Sequence, residues 1–219
     1  MNRESEDTYR HKGMRKKLVD DIAKRGITDK KVLEAIGRVP RHLYFFDSVF
    51  VERAYVDNAF PIGEGQTISQ PYTVAYQTSL LEIKKGEKIL EVGTGSGYQA
   101  SVLAEMGAKV FSVERQLKLF QKTQPMLAEL GYSSIKCFYG DGFAGLPTFA
   151  PFDKILVTAG VALVPEALLN HLKVRGTLVI PIGENVQQMK RITRVAEAEW
   201  TEELFDNFKF VPMLHGKVI

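Results

Sequence analysis

The feature that most constrains this chain is an alternation of short apolar strands with helix-length segments, which begins at residue 88. Strand–helix–strand units in series, with strands that stay apolar along their length, favour a parallel sheet covered by helices on both faces. The chain is therefore expected to be an α/β protein. The predicted strands are residues 88–92, 109–113, 135–139, 154–157 and 177–182, and the predicted helices are residues 98–106, 116–130 and 165 to about 173.

The segments on either side of this alternation have other patterns. Met14, Leu18 and Ile22 recur every four positions, which predicts an N-terminal helix that stops at Gly26. A second short helix is expected over residues 29–39, an irregular stretch over 41–72, and a helix from 73 to about 82. From residue 187 to 211 polar and apolar residues alternate, which predicts antiparallel strands at the edge of the sheet.

Composition excludes several classes of protein. The single cysteine, Cys137, excludes a disulfide framework and a cysteine-based zinc site, and four scattered histidines predict no metal centre. The longest apolar stretch, residues 155–164, is about half a membrane span. Residues 1–7 are charged and lack the apolar stretch of a secretory signal, so a cytoplasmic location is expected. The net charge is only +3, and the basic run over residues 10–17 is expected to be a solvated helix face, so charge does not favour a nucleic-acid partner.

A glycine-rich turn follows the first predicted strand of the alternation. Gly93, Gly95 and Gly97 let the backbone turn sharply and approach a ligand closely, at the carboxyl end of a strand where open parallel sheets bind ligands. The dinucleotide pattern would need its third glycine at position 98, where Tyr98 stands. Glu91, just before the turn, would be a poor neighbour for a pyrophosphate. A carboxylate there suits a ligand that carries positive charge, such as an ammonium or a sulfonium group.

Acidic residues also end the next two strands. Glu114 is an acceptor-only carboxylate at a position where it can bind both hydroxyls of a ribose. Asp141, between Gly140 and Gly142, can accept from an exocyclic amine such as that of adenine. Alternatively, Asp141 only caps the next short helix. Together the three strand ends indicate a nucleoside with a charged amino acid end.

This constellation resembles the S-adenosylmethionine-dependent methyltransferases, and longer strings narrow the resemblance to one family. Residues 66–71, Gln-Thr-Ile-Ser-Gln-Pro, resemble the signature of the protein-L-isoaspartate (D-aspartate) O-methyltransferase family, and residues 151–159, 176–183 and 210–213 continue the likeness. The resemblance covers residues 10–213, and the string at 66–71 is its most specific part. Two departures stand out. Arg175 replaces a usual glycine, and Gly160 and Ala162 replace a usual alanine and proline.

The resemblance implies a Rossmann-like methyltransferase fold, with a mostly parallel sheet, antiparallel edge strands and an N-terminal helical segment. It implies one domain over residues 1–219, divided into a helical and substrate-side segment (1–72), a cofactor-binding core (73–185) and C-terminal edge strands (186–219). Family members methylate the free α-carboxylate of isoaspartyl residues with S-adenosylmethionine, and S-adenosylhomocysteine is the product. The expected partners are isoaspartyl proteins and peptides, without a membrane, and the chain is expected to be a monomer.

The resemblance also assigns roles to residues. Ser69 is the family's active-site serine, which would orient the substrate carboxylate by a hydrogen bond and would not act as a nucleophile. No metal and no general base are required, because a carboxylate is already ionised at pH 7. Substrate-binding residues would be Thr67, Ile68, Gln70, Val211 and Pro212. Cofactor-binding residues would be Glu91, Gly93, Thr94, Gly95, Gly97, Glu114, Arg115, Asp141, Gly142 and Thr158.

Other classes of function remain open from the sequence. Methylation of a base amino group usually needs an Asn/Asp-Pro-Pro-aromatic motif after the fourth strand, and residues 158–161, Thr-Ala-Gly-Val, lack it. An RNA methyltransferase acting on a ring nitrogen escapes this objection, and so does a non-catalytic module that binds a nucleoside. A nicotinamide oxidoreductase is disfavoured by the spacing of the glycines.

Overall fold

The computed structural model describes residues 7–219 and gives an α/β arrangement. Most of the charged N-terminal stretch, residues 1–6, lies outside the described residues. The helices are α1 (Tyr9–Lys24), α2 (Lys30–Arg38), α3 (Pro71–Leu81), α4 (Tyr98–Glu105), α5 (Leu117–Glu129) and α6 (Glu166–Asn170). The strands are β1 (Phe60–Gly63), β2 (Gln66–Ile68), β3 (Lys88–Val92), β4 (Lys109–Glu114), β5 (Lys136–Tyr139), β6 (Phe152–Val157), β7 (Leu172–Ile182), β8 (Gln187–Ala196) and β9 (Glu199–Phe208).

Seven of these strands form one sheet in the order β5-β4-β3-β6-β7-β8-β9. The strands β3 to β7 run parallel, whereas β8 and β9 are antiparallel additions at one edge. The strand order reverses beside β3, since β4 and β5 lie on one side of it and β6 on the other. That reversal creates the crevice at which open α/β sheets bind ligands. The predicted fold class is confirmed.

Both faces of the central strands are buried under helices and loops. Ile89 and Leu90 are neighbours in β3, yet they belong to two different clusters of buried side chains, one on each side of the sheet. The cluster around Ile89 includes residues of α1 to α5, and the cluster around Leu90 includes Leu168 of α6. Because successive side chains of a strand point to opposite faces, covering both faces explains why β3 is mostly apolar, with Ile89, Leu90 and Val92 buried.

The stretch 41–72 is more ordered than the sequence predicts. A hairpin of β1 and β2 pairs Phe60 with Ile68 and Pro61 with Thr67. Phe60, Ile62 and Ile68 are buried, so the hairpin has an apolar face despite its many turn formers. It delivers residues 66–71 to the carboxyl end of the sheet.

Two predicted helix boundaries differ from the structure. The helix expected to end near Lys173 ends at Asn170, and β7 begins at Leu172. Leu172 pairs with Phe152 of β6, and this tertiary pairing overrides the helical spacing of the leucines. The helix expected from Thr73 begins two residues earlier, with Pro71 in its first turn, where the missing N–H of proline has no cost.

Among the described helices, none combines the length and the apolar character that crossing a membrane requires.

Candidate active site

A cleft lies at the carboxyl ends of β3, β4 and β6, beside the reversal in strand order. Its lining comes from the loops that follow these strands, from β2 with Ser69 after it, from α3 and α4, and from the C-terminal segment. The cleft is lined by Gln66, Thr67, Ile68, Ser69, Val74, Val92, Gly93, Thr94, Gly95, Ser96, Tyr98, Gln99, Val113, Glu114, Arg115, Gly142, Thr158, Ala159, Val211, Pro212, Met213 and Leu214.

The glycine turn between β3 and α4 needs its glycines for two different reasons. Gly93 has φ +98, and a Cβ on it would lie 2.5 Å from Thr158 Oγ1. The Thr158 hydroxyl lies 2.9 Å from both Val92 O and Gly93 O, so it ties the end of β3 to the end of β6. Gly97 does not line the cleft, and its Cβ would collide with Thr123 and Leu127 of α5 at 2.9 Å. Gly93 and Gly95 thus shape the cleft, while Gly97 lets two helices pack closely.

Glu114 is the carboxylate that the cleft presents. It is 4% exposed and lines the cleft at the end of β4. Its Oε2 accepts from Gly95 N–H and its Oε1 accepts from Gln116 N–H, both at 2.9 Å. Each carboxylate oxygen can accept a second hydrogen bond. The two backbone donors therefore fix a pair of acceptors that can bind a diol.

Glu91 was expected at the mouth of the cleft, but it lies in the interior of the protein. Its side chain is fully buried beneath the glycine turn and does not line the cleft, so the expectation of a carboxylate at the mouth is corrected. Ser112 Oγ donates to Glu91 Oε2, and Thr94 Oγ1 lies 2.6 Å from Ser112 Oγ. Burial raises the pKa of Glu91 to about 8. Glu91 therefore supports the turn from below through Ser112 and Thr94.

Asp141 also uses its carboxylate within the protein. Its Oδ1 accepts from Phe143 N–H at 2.9 Å, as a cap of the following turn does, and its Oδ2 accepts from Gly216 N–H at 2.8 Å. Gly142 does line the cleft, and a Cβ there would lie 2.5 Å from Val92 Cγ1. At this strand end the glycine provides the open space, and Asp141 holds the loop.

The C-terminal segment closes the same side of the cleft. The Arg115 guanidinium donates to the carbonyls of His215 and Gly216, at 3.1 and 3.2 Å. The His215 ring stacks on Phe143 with centroids 3.6 Å apart. This docking brings Met213 and Leu214 into the lining, two residues that no local sequence signal marks as part of a site.

A second groove opens from the cleft. It is lined by Arg25, Ala59, Thr67, Ser69, Gln70, Tyr72, Thr73, Thr158, Val186, Asp206, Asn207, Phe208, Lys209, Phe210 and Val211. Thr67, Ser69, Thr158 and Val211 line both the cleft and the groove, so they mark the place where the two meet. Ser69 is half-buried there, and none of the described residues forms a hydrogen bond with its hydroxyl.

Comparison with known proteins identifies the family. Residues 13–218 match the family model described as protein-L-isoaspartate(D-aspartate) O-methyltransferase. The chain belongs to this family.

Similar proteins agree over nearly the whole chain. A protein-L-isoaspartate O-methyltransferase of Christiangramia forsetii is 57% identical over 211 residues, which are 96% of this chain and 99% of the relative. A protein of the same description from Flavobacterium psychrophilum is 56% identical, with the same coverage of 96% and 99%.

Solved structures of the family have the same fold. One protein-L-isoaspartate O-methyltransferase superposes with a TM-score of 0.82 at 28% identity, over 90% of this chain and 65% of that chain. A second, from Plasmodium falciparum and described as a complex with S-adenosyl-L-homocysteine, gives a TM-score of 0.80 at 25% identity, over 91% of this chain and 98% of that one.

Within this isoaspartate methyltransferase family member, the departure at Gly160 contacts the segment that carries Val211 of the groove. Gly160 N–H donates to Val211 O at 2.9 Å and Gly160 O accepts from Met213 N–H at 2.8 Å, so the segment 211–213 is fixed to the end of β6. A Cβ on Gly160 would lie 2.8 Å from the Gln187 side chain, which is 2% exposed. Gln187 Oε1 accepts from Phe210 N–H at 2.8 Å. Gly160 and Gln187 together fix the backbone of residues 210–213.

The structure brings three possible metal ligands together outside the lining of the cleft. Donor atoms of Asp7, His11 and His42 lie within 4.8 Å of one another. Both Asp7 oxygens, however, accept from the Arg15 guanidinium, at 2.8 and 3.0 Å. Arg15 belongs to the basic run that was expected to be a solvated helix face, but its side chain is buried. It also donates to Tyr55 OH and Gly37 O, so its buried N–H groups have acceptors. The cluster is organised around this buried arginine.

Proposed function

We propose that this chain is a protein repair methyltransferase, which moves a methyl group from S-adenosylmethionine to the free α-carboxylate of isoaspartyl residues in damaged proteins and peptides. One observation carries the proposal beyond family membership. Four residues, Thr67, Ser69, Thr158 and Val211, line both a cleft at the strand ends and an open groove. A cofactor in the cleft and a peptide in the groove would meet at these residues.

The residues of the cleft fit S-adenosylmethionine. Glu114 offers two oriented oxygens for the ribose hydroxyls, Gly93, Thr94 and Gly95 offer backbone close to a ligand, and Gly142 leaves room for the base. Arg115 lines the same side through its contacts with the C-terminal segment. When bound, the cofactor supplies a methyl group on a positively charged sulfur. Glu91, Gly97 and Asp141 act on the cofactor indirectly, because they shape the turns that face it.

The chemistry needs alignment more than proton transfer. The substrate carboxylate is ionised at pH 7 and is itself the nucleophile, so no general base is required. Methyl transfer would require a carboxylate oxygen to be held about 3 Å from the methyl carbon, so the residues at the junction would have to position the substrate. The hydroxyl of Ser69 lies at the junction and can donate to the substrate carboxylate. Thr67, Ile68 and Gln70 shape the pocket beside it, and Val211 and Pro212 offer extended backbone to the peptide.

Several expectations stay predictions under this proposal. They are the monomeric state, the cytoplasmic location, the lack of a nucleic-acid partner, and the division of one domain at residues 72/73 and 185/186. Sedimentation and cell fractionation test the first two. A weak salt dependence of any RNA binding tests the third, because phosphate contacts make affinity fall steeply with salt.

A paired-peptide assay tests the function itself. The chain receives labelled S-adenosylmethionine and two peptides that differ only in an isoaspartyl or an aspartyl linkage, with a transfer RNA in a third reaction. Methyl transfer to the isoaspartyl peptide alone is the expected result. Equal transfer to both peptides, or to neither, contradicts the proposal. Transfer to the RNA supports a ring-nitrogen methyltransferase, and cofactor binding without any transfer supports a non-catalytic module.

A further inference from the structure

Resting on the proposed function, we propose that Asp57 is the positioning residue that holds the Ser69-bearing turn in the geometry needed for methyl transfer. Asp57 stands twelve positions before Ser69, in a stretch without any catalytic motif. It lines neither the cleft nor the groove. Its effect on Ser69 passes through the residues that follow the serine.

The Asp57 carboxylate binds three groups around that turn. Its Oδ1 accepts from Tyr72 N–H at 2.8 Å, and its Oδ2 accepts from Gln70 Nε2 at 3.0 Å. The same Oδ2 pairs with the Arg25 guanidinium, which stacks over the Tyr72 ring at 3.7 Å from its centroid. One carboxylate thus binds the backbone and a side chain within three residues of Ser69. Hydrogen bonds to a charged acceptor are among the stronger ones in proteins.

The segment that carries Asp57 is itself held from the interior. Arg41 is fully buried and donates from Nε to Ala54 O at 2.9 Å and from Nη2 to Asn58 O at 3.2 Å. Tyr55 OH accepts from Arg15 at 2.9 Å. Contacts on both sides of Asp57 therefore fix its backbone, so the carboxylate is a rigid anchor and not a mobile surface group.

The other side of Ser69 is fixed by the hairpin. Ile68 is buried and pairs with Phe60, and Thr67 pairs with Pro61. Ser69 thus stands between a paired strand and a turn in which Asp57 accepts hydrogen bonds from Gln70 Nε2 and Tyr72 N–H. Without Asp57, the hairpin still fixes residues up to 68, but Gln70 and Tyr72 lose their acceptor. An error of about 1 Å in a positioning group can reduce a rate about a hundredfold.

The experiment compares Asp57→Ala and Asp57→Asn with the matched control Asp47→Ala. Asp47 is exposed, and its carboxylate caps a neighbouring turn by accepting from Val49 N–H at 3.0 Å. We expect Asp57→Ala to lower kcat on an isoaspartyl peptide at least about tenfold, with the affinity for S-adenosylhomocysteine within about twofold of wild type. Asp57→Asn should recover part of this loss, since its amide oxygen can still accept from Tyr72 N–H, whereas its amide nitrogen cannot accept from Gln70 or Arg25. Asp47→Ala should match wild type.

A second measurement does not depend on activity. Amide hydrogen exchange at Gln70 and Tyr72 should accelerate in Asp57→Ala and stay at the wild-type rate in Asp47→Ala. If exchange and kcat are unchanged in Asp57→Ala, or if cofactor affinity falls as much as kcat, the inference is overturned. A wild-type protein that methylates no isoaspartyl peptide overturns the proposed function instead, and the exchange data then decide whether Asp57 holds the turn.

Discussion

Gly95 N–H donates to Glu114 Oε2 at 2.9 Å, so the glycine turn after β3 is bonded directly to the carboxylate at the end of β4. The contact joins two strand ends that are adjacent in the sheet and nineteen residues apart in the chain. This hydrogen bond holds the turn and orients the carboxylate. A substitution at Glu114 should therefore have two effects on the proposed cofactor site: it removes an acceptor and it releases the glycine turn.

Glu114→Ala should weaken binding of S-adenosylhomocysteine at least tenfold. The variant loses a charged acceptor, which is worth about 1.5–3 kcal/mol, and releases Gly95 and Gln116. Glu114→Gln keeps one oxygen and should show an intermediate loss. Titration calorimetry gives the affinities, and equal values for wild type and Glu114→Ala would exclude Glu114 from the cofactor site.

Ser69→Ala should lower turnover at least about tenfold, or about 1.4 kcal/mol in the barrier, while S-adenosylhomocysteine still binds. The hydroxyl lies where cleft and groove meet, so its removal affects the substrate carboxylate and not the nucleoside. Ser79→Ala is the matched control, because Ser79 Oγ only donates to Ala75 O within α3. Unchanged turnover in Ser69→Ala would remove the serine from the mechanism.

The strand ends of the site could be predicted because their signals are local. Gly93, Gly95, Glu114 and Gly142 each follow an apolar strand, and parallel strands bring their carboxyl ends to one edge. The direction of the Glu91 side chain could not be predicted in the same way. A central strand is covered on both faces, so position in the strand alone does not tell which carboxylate faces the cleft.

Contacts between irregular segments could not be predicted from the sequence. The bonds from Asp57 to Gln70 and Tyr72 span 13 and 15 residues, and the bond from Asp141 to Gly216 spans 75. No periodicity marks such pairs, because loops that meet in space follow the packing of the elements they join. The hairpin of β1 and β2 was missed for a different reason: its alternating apolar face is short and lies among turn-forming residues.

Glu91→Gln should remove a pH dependence of stability. Burial raises the pKa of Glu91 to about 8 from an ordinary value of 4.5, so folding takes up a proton between these pH values. The contribution of Glu91 to stability is thus full below about pH 4.5 and falls as the pH rises through about 8, by up to about 1.4 kcal/mol per pH unit. Urea unfolding at pH 5, 7 and 8.5 should show that the free energy of unfolding of the variant rises relative to that of wild type as the pH increases. The control Glu129→Gln, at an exposed position, should show the same pH dependence of stability as wild type. The same pH dependence in Glu91→Gln and wild type would contradict this account.

Arg175→Gly should stabilise the protein by about 0.5–1 kcal/mol. Arg175 is exposed and has φ +70, a left-handed conformation that costs a side chain about 1–2 kcal/mol, against about 0.5–1 kcal/mol of extra chain entropy lost by glycine. Arg175→Ala keeps the Cβ and should gain nothing. Gly176→Ala should destabilise, because its Cβ would lie 2.8 Å from Lys173 O. Thermal unfolding gives the midpoint of each of the three variants. Equal midpoints for Arg175→Gly and Arg175→Ala would show that the left-handed backbone at position 175 does not destabilise the protein.

Gly160→Ala should weaken peptide binding more than cofactor binding. The new Cβ would displace the Gln187 side chain, whose Cγ and Cδ lie at 2.8 Å, and so break the bond from Phe210 N–H that positions the groove beside Val211. We expect KM for an isoaspartyl peptide to rise at least about threefold, the effect of losing one ordinary hydrogen bond of about 0.7 kcal/mol. Gly13→Ala is the control, because a Cβ on Gly13 meets nothing within 4 Å.

A double variant separates the clash from the lost hydrogen bond. Gln187→Ala removes the side chain that a Cβ at position 160 would strike, so Gly160→Ala should add little to it. The effects on KM should therefore be less than additive, as expected for residues in direct contact. Strict additivity would show that Gly160 acts on the groove by a route other than Gln187.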